Sequence, residues 1–486
     1  MRKLLLLLLI LQGMLVSAQE SLYDEMKRTM NERSLPLVNM IVDAATVNRT
    51  DYVPGEIEIA DYHRRTNSDS KLVRYRCKFR IRGGTASSFD KKSFSVKLYD
   101  DTDENLDANI FGIREENSWI LDAMAVDRIR MRNRVCFDVW NAMNRTPYDT
   151  KYENRNGTQG EFVELFINGE YNGLYCLTDK IDRKLLGLKK VKVDEEDNVT
   201  VRGLLYKGIS WRSGSNLRSY TGAETNEDTW NAWELQYPDD YPSADSWQPL
   251  MDLIDFCSDS ASDEVFAQEY RNYFYVDNLA DYAVFTMALN VGDNAYKNTF
   301  LSVVDITKGH RYMITPWDMD MSFGGYWNGD YYEDLASIDR YNRIAPYNRL
   351  TVQDIEGFKD LEKSKWTEYC TTLFSCNSIS ERLDNYAELF TTSGAWEREY
   401  AKWNGNPVPL KESIAEELEY VKGWYRKNYE SLCAQFGVDD TMGITDNASH
   451  QPSDIIIIYT IDGRKISQED MYRGFYIVNG KKVVIR

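Results

Sequence analysis

The sequence predicts an α+β protein with a strand-rich first part, a mainly helical second part and a small C-terminal β segment. Short stretches of alternating apolar and polar residues recur before about residue 200, for example at Ser93–Tyr99. Apolar residues at helical spacing dominate after that point, as in residues 411–436. Beyond residue 454, apolar runs are separated by turn signals such as Asp462-Gly463.

The elements of the first part follow in order from these patterns. A loop of small residues, 82–88, separates two of the strands, and a helix follows them. A hairpin comes next, with turns expected at Asn168-Gly169 and at Asn172-Gly173. In the helical part, one short strand pair, 299–304 and 311–314, flanks a polar turn. The other expected strands are 35–42, 56–60, 74–81, 93–99, 161–168 and 174–178, and the expected helices are 127–143 and 411–436.

The first residues have the pattern of an export signal. Arg2 and Lys3 precede an apolar run, and Val16-Ser17-Ala18 supplies a cleavage site of small residues. We find no later apolar run of membrane length, so we expect an exported chain without a membrane span, ending in the periplasm, on the cell surface or in the medium. The expected segments are a signal peptide at 1–18, a leader at 19–34, a β-rich lobe at 35–200, a helical lobe at 201–437, a linker at 438–454 and a β segment at 455–486.

Composition excludes several kinds of chemistry. The formal net charge is −19, which argues against sequence-independent nucleic-acid binding because such binding needs cationic surface. The chain has three histidines and seven cysteines without any Cys-x-x-Cys pair, so a Cys/His zinc site or a Ser-His-Asp triad has almost nothing to draw on. Cys370 and Cys376 are close enough to pair, although spacing alone does not decide it. Carboxylates, lysines and hydroxyls remain.

The most informative segment gathers acidic groups around the predicted hairpin of 299–314. Asp293 and Asn298 lie five residues apart on the loop that enters it, and Asp318 and Asp320 follow its return strand, shortly before Phe323-Gly324. Carboxylate and amide oxygens at one end of a hairpin suit Mg²⁺, and this order resembles that of kinase catalytic motifs. The alternative is that these Asp and Asn residues only form turns.

The loop upstream offers a place for phosphates. Its backbone amides lie between two strands, and Lys97 on the second strand shares a face with Ser95, from which a lysine reaches α- and β-phosphates. Lys92 is the rival candidate on the other face. The alternative is a solvated strand edge that carries Lys91, Lys92 and Lys97.

Several motifs in order resemble the CotH (spore coat protein H) family, over about residues 35–436. The resemblance implies an atypical, kinase-like bilobal fold, with a β-rich N-lobe and a mainly helical C-lobe, that binds ATP with Mg²⁺ or Mn²⁺ and phosphorylates Ser/Thr hydroxyls of a protein. The motifs are Arg80-Ile81-Arg82-Gly83-Gly84 with Lys91-Lys92-Ser93-Phe94, Asp127 with Arg132-Asn133, residues 163–175, Asn298 with Pro316-Trp317-Asp318-Met319-Asp320, and Ser322-Phe323-Gly324.

Carried over by position, the resemblance assigns roles. Asp293 is the catalytic aspartate, and Asn298 and Asp318 are metal ligands, with Asp320 as the alternative or second metal carboxylate. Asp127, or Glu115 or Glu116, is placed to orient Lys97. No histidine precedes Asp293, where Val291-Gly292 stands; this departure fits an atypical branch and also leaves a catalytically inactive copy open. The residues assigned to the nucleotide are Arg82, Gly83, Gly84, Ser87, Ser88 and Lys97 for phosphates, and Asp179 near the adenine.

The tail is similar to the C-terminal β sorting domain of type IX-secreted Bacteroidetes proteins. Residues 459–464 and 473–482 carry the similarity, which implies an export address or a surface attachment through the secretion machinery. An accessory β module is the alternative. A co-exported surface protein is then a candidate acceptor for the phosphate.

Two other functions remain open. One is a non-catalytic surface protein on the same fold that binds glycan or protein through some of its 12 Trp and 33 Tyr side chains. The other is a glycosidase that uses paired carboxylates such as Asp318 and Asp320.

Overall fold

The structure is a computed structural model that describes residues 20–439, except 211–212, 221, 223–226, 259–261, 296 and 336–344, together with four strands of the tail. The predicted signal peptide and nearly all of the predicted linker lie outside the described residues. Strands and helices are both abundant, as the α+β prediction requires.

The described chain contains twenty strands and ten α-helices. The strands are β1 Leu37–Ile41, β2 Val53–Ala60, β3 Leu72–Arg82, β4 Ser93–Tyr99, β5 Ala108–Asn109, β6 Glu115–Glu116, β7 Ser118–Asp122, β8 Gly160–Ile167, β9 Glu170–Thr178, β10 Lys192–Val193, β11 Val199–Thr200, β12 Leu204–Gly208, β13 Thr229–Trp230, β14 Trp233–Tyr237, β15 Thr299–Val303, β16 Met313–Pro316, β17 Ile458–Thr460, β18 Lys465–Ile466, β19 Gly474–Val478 and β20 Lys481–Ile485. The helices are α1 Leu22–Thr29, α2 Arg132–Met143, α3 Ala244–Cys257, α4 Asp263–Tyr273, α5 Val276–Leu289, α6 Tyr347–Leu350, α7 Phe358–Cys370, α8 Cys376–Thr392, α9 Ala395–Trp403 and α10 Ile414–Phe436.

The described chain divides into two compact units, each assembled from separate stretches. Unit 1 contains residues up to 123 together with 161–177 and 389–403. Unit 2 contains 124–160, 178–388 and the residues from 404 onward. The helix α9 therefore belongs to the strand-rich unit, although it lies almost 200 residues beyond the predicted lobe boundary. The boundaries given above for the lobes remain predictions.

Unit 1 is built around a closed barrel of seven strands in the order β1-β2-β3-β4-β7-β9-β8. Parallel pairing of β1 with β8, which sets Leu37 opposite Glu164, closes it. Alternation along β4 explains the burial, because Phe94, Val96 and Leu98 are buried while the residues between them are half-buried. The sequence predicted most of these strands but not their closure, and the kinase-like bilobal arrangement remains an expectation from the resemblance.

The hairpin of β8 and β9 corrects one predicted turn. Asn168 and Gly169 have φ values of 52° and 82°, as a two-residue hairpin turn requires. Asn172-Gly173, in contrast, lies inside β9, so the second predicted turn is wrong. Gly173 is needed there because a Cβ atom would come within 2.7 Å of Trp403 Nε1.

Unit 2 contains a five-stranded antiparallel sheet in the order β13-β14-β12-β15-β16. The prediction of a single isolated strand pair in this region was therefore incomplete: β12 pairs with β15, so that Leu204 lies opposite Val303. Helix α5 lies against β16, α7 and α10, and all of its residues from Asn278 to Leu289 are buried. A helix that is buried on all sides gives a rigid base to whatever follows its C-terminus.

The remaining predictions concern cysteines, the tail and the membrane. All seven cysteines are buried and outside any disulfide, so Cys370 and Cys376 are not bonded to each other. Burial raises the pKa of Cys136 to about 12, which leaves no reactive thiolate there. The tail strands form a four-stranded antiparallel sheet in the order β18-β17-β19-β20. In the part of the chain that the structure describes, no helix has the length and apolarity that a membrane crossing requires.

Candidate active site at the open end of a hairpin

The hairpin of β15 and β16 brings together side chains that are 25 residues apart in the sequence. Thr299 pairs with Pro316, and beyond this pair the Trp317 amide donates to the Asn298 carbonyl at 2.9 Å. Asn298 enters the hairpin and Asp318 leaves it, so both lie at its open end. Asp293 lies at the same end, in the 3₁₀ turn Asp293–Ala295 that follows α5.

Two carboxylates converge on one amide at this end. Asn298 Nδ2 donates to Asp293 Oδ2 at 3.2 Å and to Asp318 Oδ2 at 3.4 Å. Lys297 Nζ lies 3.0 Å from Asp293 Oδ2 and offsets part of the negative charge. Asp293 and Asn298 are buried, whereas Asp318 is half-buried. The three residues that the sequence singled out for catalysis and metal binding thus share one small cluster.

The backbone at two of these residues is in the left-handed region. Asn298 and Asp318 both have φ of 55°, a conformation that Asn and Asp tolerate better than other non-glycine residues. A residue held there by its surroundings is a common feature of functional sites. Asn298 and Asp318 therefore do adopt a turn conformation, as the alternative interpretation expects. Their side chains also converge, which turn formation alone does not require.

The segment after Asp318 is held by two helices of the same unit. The Met319 amide donates to Asn133 Oδ1 at 2.6 Å, and Arg132 Nε donates to the Ser322 carbonyl at 2.9 Å; both side chains come from the first turn of α2. The Phe323 amide donates to the carbonyl of Leu289, the last residue of α5, at 2.9 Å. These bonds tie the loop that carries Asp318 to α2 and to the buried helix α5.

Asp127 supports the start of α2. Its carboxylate accepts from the backbone amides of Ile129 at 3.0 Å and Arg132 at 2.8 Å, and it forms an ion pair with the Arg132 guanidinium. The helix therefore begins at Arg132, five residues after the predicted start. The role of Asp127 in orienting Lys97 remains a prediction, and the contacts described here join its carboxylate to Ile129 and Arg132.

The other two candidates for orienting Lys97 also have different surroundings. Glu116 lies 3.3 Å from Arg114 and accepts from the amide of Asn117 at 2.9 Å. Glu115 is exposed on the short strand β6.

The cluster has the chemistry of a magnesium site. Among the described residues, no group of three or more His, Cys, Asp or Glu side chains is arranged to hold a metal ion. Two carboxylates with one amide fall short of such a group, but Mg²⁺ binds through one or two carboxylates and completes its shell with waters and substrate phosphates. The amide oxygen of Asn298 would be its donor to the ion. The residues present fit the ion that the resemblance implies.

Asp318 and Asp320 are placed differently. The carboxylate of Asp318 lies next to Asn298, as described above. Asp320 is half-buried two residues further along the loop. We therefore take Asp318 as the principal candidate ligand and Asp320 as the second one.

Asp179 is fully buried beside an arginine in unit 2. Its carboxylate accepts from Arg155 Nη2 at 2.9 Å and from the Gln159 amide at 2.8 Å. These contacts make the Asp179 carboxylate part of a buried ion pair. Its predicted position near an adenine remains a prediction.

The predicted phosphate loop of unit 1 forms a compact turn. Gly83, which follows Arg82 at the end of β3, has φ of 104°, and Gly84 has nothing within 4 Å of a Cβ position. Ser87 Oγ and Ser88 Oγ each donate at 2.7 Å to carbonyls of their own turn, those of Gly84 and Thr85.

Two lysines near this loop have defined partners, and the predicted role of Lys97 in phosphate binding remains a prediction. Lys97 Nζ lies over the ring of Tyr52, 4.7 Å from its centroid. Lys91, which the alternative interpretation places on a solvated strand edge, is fully buried: its Nζ lies 2.7 Å from Glu399 Oε1 and donates to the Leu174 carbonyl at 2.6 Å. No local pattern reveals this pair, because Glu399 is 308 residues away in sequence. The only signal is that Glu399 shares the apolar face of α9 with Trp396.

A separate cavity of about 370 Å³ opens at the start of α5 in unit 2. Its lining includes Arg145, Tyr275 and Arg311, and it contains none of the residues that the sequence assigned to the site.

A protein-family model matches most of the chain. A family model described as CotH kinase protein matches residues 79–432, which include the predicted phosphate loop and the whole hairpin cluster. A comparison with curated proteins finds no match.

Proposed function

This chain belongs to the CotH kinase family, and from that premise we propose that it is an exported, metal-dependent kinase that transfers the γ-phosphate of ATP to a Ser or Thr hydroxyl of a protein. The observation that carries the proposal is the convergence of Asp293 and Asp318 on the amide of Asn298. Phosphoryl transfer needs positioned charge and a proton acceptor, and this cluster offers both.

The residues of the cluster divide the work. Asn298 and Asp318 would hold the divalent ion, with Asp320 as a second carboxylate, and the ion would neutralise charge on the phosphates. Asp293 accepts the proton of the attacking Ser or Thr hydroxyl, while the oxygen of that hydroxyl forms a bond to the γ-phosphorus. The bond between that phosphorus and the bridging oxygen breaks, and ADP leaves with the electron pair. Lys97 and the loop from Arg82 to Ser88 contribute to phosphate binding.

The test separates nucleotide binding from transfer. We would measure Mg²⁺- or Mn²⁺-dependent stabilisation of the chain by ATP, and then phosphate incorporation into itself or a generic acceptor. Asp318→Ala is expected to lose metal-dependent binding, because it removes a ligand. Asp293→Ala is expected to keep binding and to lose transfer by about 10²- to 10⁴-fold, the usual contribution of a general base.

A matched control is Asp330→Ala, which removes an exposed carboxylate of the same unit, whose partner Arg128 lies 3.7 Å away. It should bind ATP and transfer phosphate as the wild type does. If the wild type shows no stabilisation by nucleotide with either metal ion, the kinase proposal is wrong.

One observation favours the second candidate, a catalytically inactive surface protein that binds glycan or protein. Most Trp side chains are buried, but Trp327 is 52% exposed and its neighbour Tyr326 is 37% exposed. Adjacent exposed rings can form a binding platform. The inactive protein is favoured if Trp327→Ala abolishes binding to a glycan array or to a protein partner in a chain that does not bind ATP.

The proposal also covers where the protein is located and which proteins it acts with. We propose export by the N-terminal signal, involvement of the tail in secretion or surface attachment, and a co-exported protein as the phosphate acceptor. Fractionation of cells that express the full chain, compared with a chain ending at residue 454, tests the role of the tail.

A further inference from the structure

The side chain of Asn294 connects the two chain segments that carry the candidate metal ligands Asn298 and Asp318. Its Nδ2 donates to the Asn298 carbonyl at 2.8 Å and to the Trp317 carbonyl at 2.9 Å. One carbonyl belongs to a candidate ligand, and the other belongs to the residue before Asp318. A single amide group therefore spans the open end of the hairpin.

The carbonyls of Asn298 and Trp317 also determine the orientation of the Asn294 amide, that is, which of its atoms is the nitrogen. If Oδ1 replaced Nδ2, an acceptor would face two acceptors, so the NH₂ group must point at the backbone. Asn294 is 2% exposed, and its Oδ1 is buried without a hydrogen-bond partner. Burying an unsatisfied acceptor costs free energy, and such costs in native proteins concentrate at functional sites.

The main chain of Asn294 is held as firmly as its side chain. Tyr282 Oη, from the buried helix α5, donates to the Asn294 carbonyl at 2.7 Å and lies 2.8 Å from Thr299 Oγ1. The Asn294 amide donates to the Val291 carbonyl at 3.2 Å. The position of the side chain is thus fixed by the core of unit 2, and the hairpin end is fixed in turn by the side chain.

We propose that Asn294 is a positioning residue, which sets the spacing between Asn298 and Asp318 and so the affinity of the site for its divalent ion. This inference rests on the proposed function for its role in metal binding. Residues that orient metal ligands without touching the ion change metal affinity by about 10- to 100-fold when they are mutated. Asn294 orients both candidate ligands in this way, because it bonds the carbonyl of Asn298 and the carbonyl of Trp317, the residue before Asp318.

The experiment compares Asn294 with a matched asparagine. Asn428 is also fully buried in unit 2, and its Nδ2 donates to two backbone carbonyls, those of Met287 at 3.1 Å and Ala288 at 2.9 Å. The variants are Asn294→Ala, the isosteric Asn294→Asp, which sets a carboxylate oxygen against two carbonyls, and Asn428→Ala. Any general loss of stability should be similar in the two alanine variants.

Two readouts decide the proposal. The first is hydrogen exchange of peptides that cover residues 298–299 and 317–319, measured without metal or nucleotide. Exchange should become about tenfold faster or more in both Asn294 variants and not in Asn428→Ala. The second is the Mg²⁺ concentration for half-maximal ATP binding, which should rise by about 10- to 100-fold in the Asn294 variants only.

Each result has a definite meaning. Unchanged exchange in the Asn294 variants, or an equal change in Asn428→Ala, overturns the positioning role. Faster exchange with an unchanged Mg²⁺ requirement overturns its connection to metal binding. If the wild type binds no nucleotide, the proposed kinase function fails, whereas the exchange measurement still decides whether Asn294 holds the hairpin end.

Discussion

Replacing Lys91 by methionine should destabilise unit 1 far more than the same change at the neighbouring Lys92. The side chains of Lys91 and Glu399 are both fully buried, and their Nζ and Oε1 atoms lie 2.7 Å apart. The same two groups also bond the backbone of Leu174, because Nζ donates to its carbonyl at 2.6 Å and Glu399 Oε2 accepts from its amide at 2.7 Å.

The magnitude follows from what the substitution leaves behind. Methionine fills much of the lysine volume, but it leaves Glu399 as a buried carboxylate without its cation. Removing one partner of a buried ion pair costs about 3–5 kcal/mol. Lys92 is half-buried, and its Nζ donates only to the Ser87 carbonyl, at 3.0 Å, among the contacts described, so Lys92→Met should cost about 1 kcal/mol or less.

Urea unfolding followed by tryptophan fluorescence measures these free energies. Lys91→Met, Glu399→Gln and the double variant complete a cycle, in which the double variant should lose about 0.5–3 kcal/mol less than the sum of the single ones. If Lys91→Met and Lys92→Met lose similar free energy, or if the two single losses simply add, the buried ion pair is not the interaction that joins α9 to the barrel.

Two further predictions concern pH and backbone conformation. Burial raises the pKa of Glu362 from 4.5 to about 7, so the folded state keeps a proton that the unfolded chain releases. The contribution of Glu362 to the free energy of unfolding should therefore be greatest below pH 4.5. It should fall by about 3 kcal/mol as the pH rises to 7. Urea unfolding at pH 5 and 8 should show this loss reduced in Glu362→Gln and retained in Glu368→Gln, an exposed site on the same helix; equal losses in both would contradict it. Gly324 has φ of 72° and a Cβ position 2.7 Å from the Trp424 ring, so Gly324→Ala should cost about 2 kcal/mol or more, whereas Gly423→Ala, which meets nothing within 4 Å inside α10, should gain about 0.5–1 kcal/mol. Thermal unfolding checks this pair, and the same sign for both changes would refute the explanation.

The sequence predicted local elements well where one side of an element is buried. Strand β4 has the predicted bounds, because its apolar residues alternate strictly. The start of α2 was placed too early, because Asp127 caps the helix from outside instead of belonging to it. Asn172-Gly173 has the composition of a turn but lies inside β9, and the sequence cannot show that Trp403 packs where a side chain would be.

The cluster of Asp293, Asn298 and Asp318 shows how far a local pattern reaches. A short hairpin returns the chain to its starting point, so the spacing of these residues along the sequence already implied that they meet. The bonds that fix them were beyond sequence reasoning. Asn133 and Arg132 act on the Asp318 loop from more than 180 residues away.

By itself, then, the sequence determined the strands and helices that have a clear periodicity, the scarcity of His and Cys side chains, and the meeting of the acidic groups at one hairpin. Tertiary structure alone decided that seven strands close into a barrel, that Lys91 is buried against Glu399 whereas Lys97 lies over Tyr52, and that Asp179 pairs with Arg155. The physical reason is the distance along the chain over which each effect acts. Periodicity and turn preference act over a few residues, but the burial of a charge depends on partners that only the folded chain brings near.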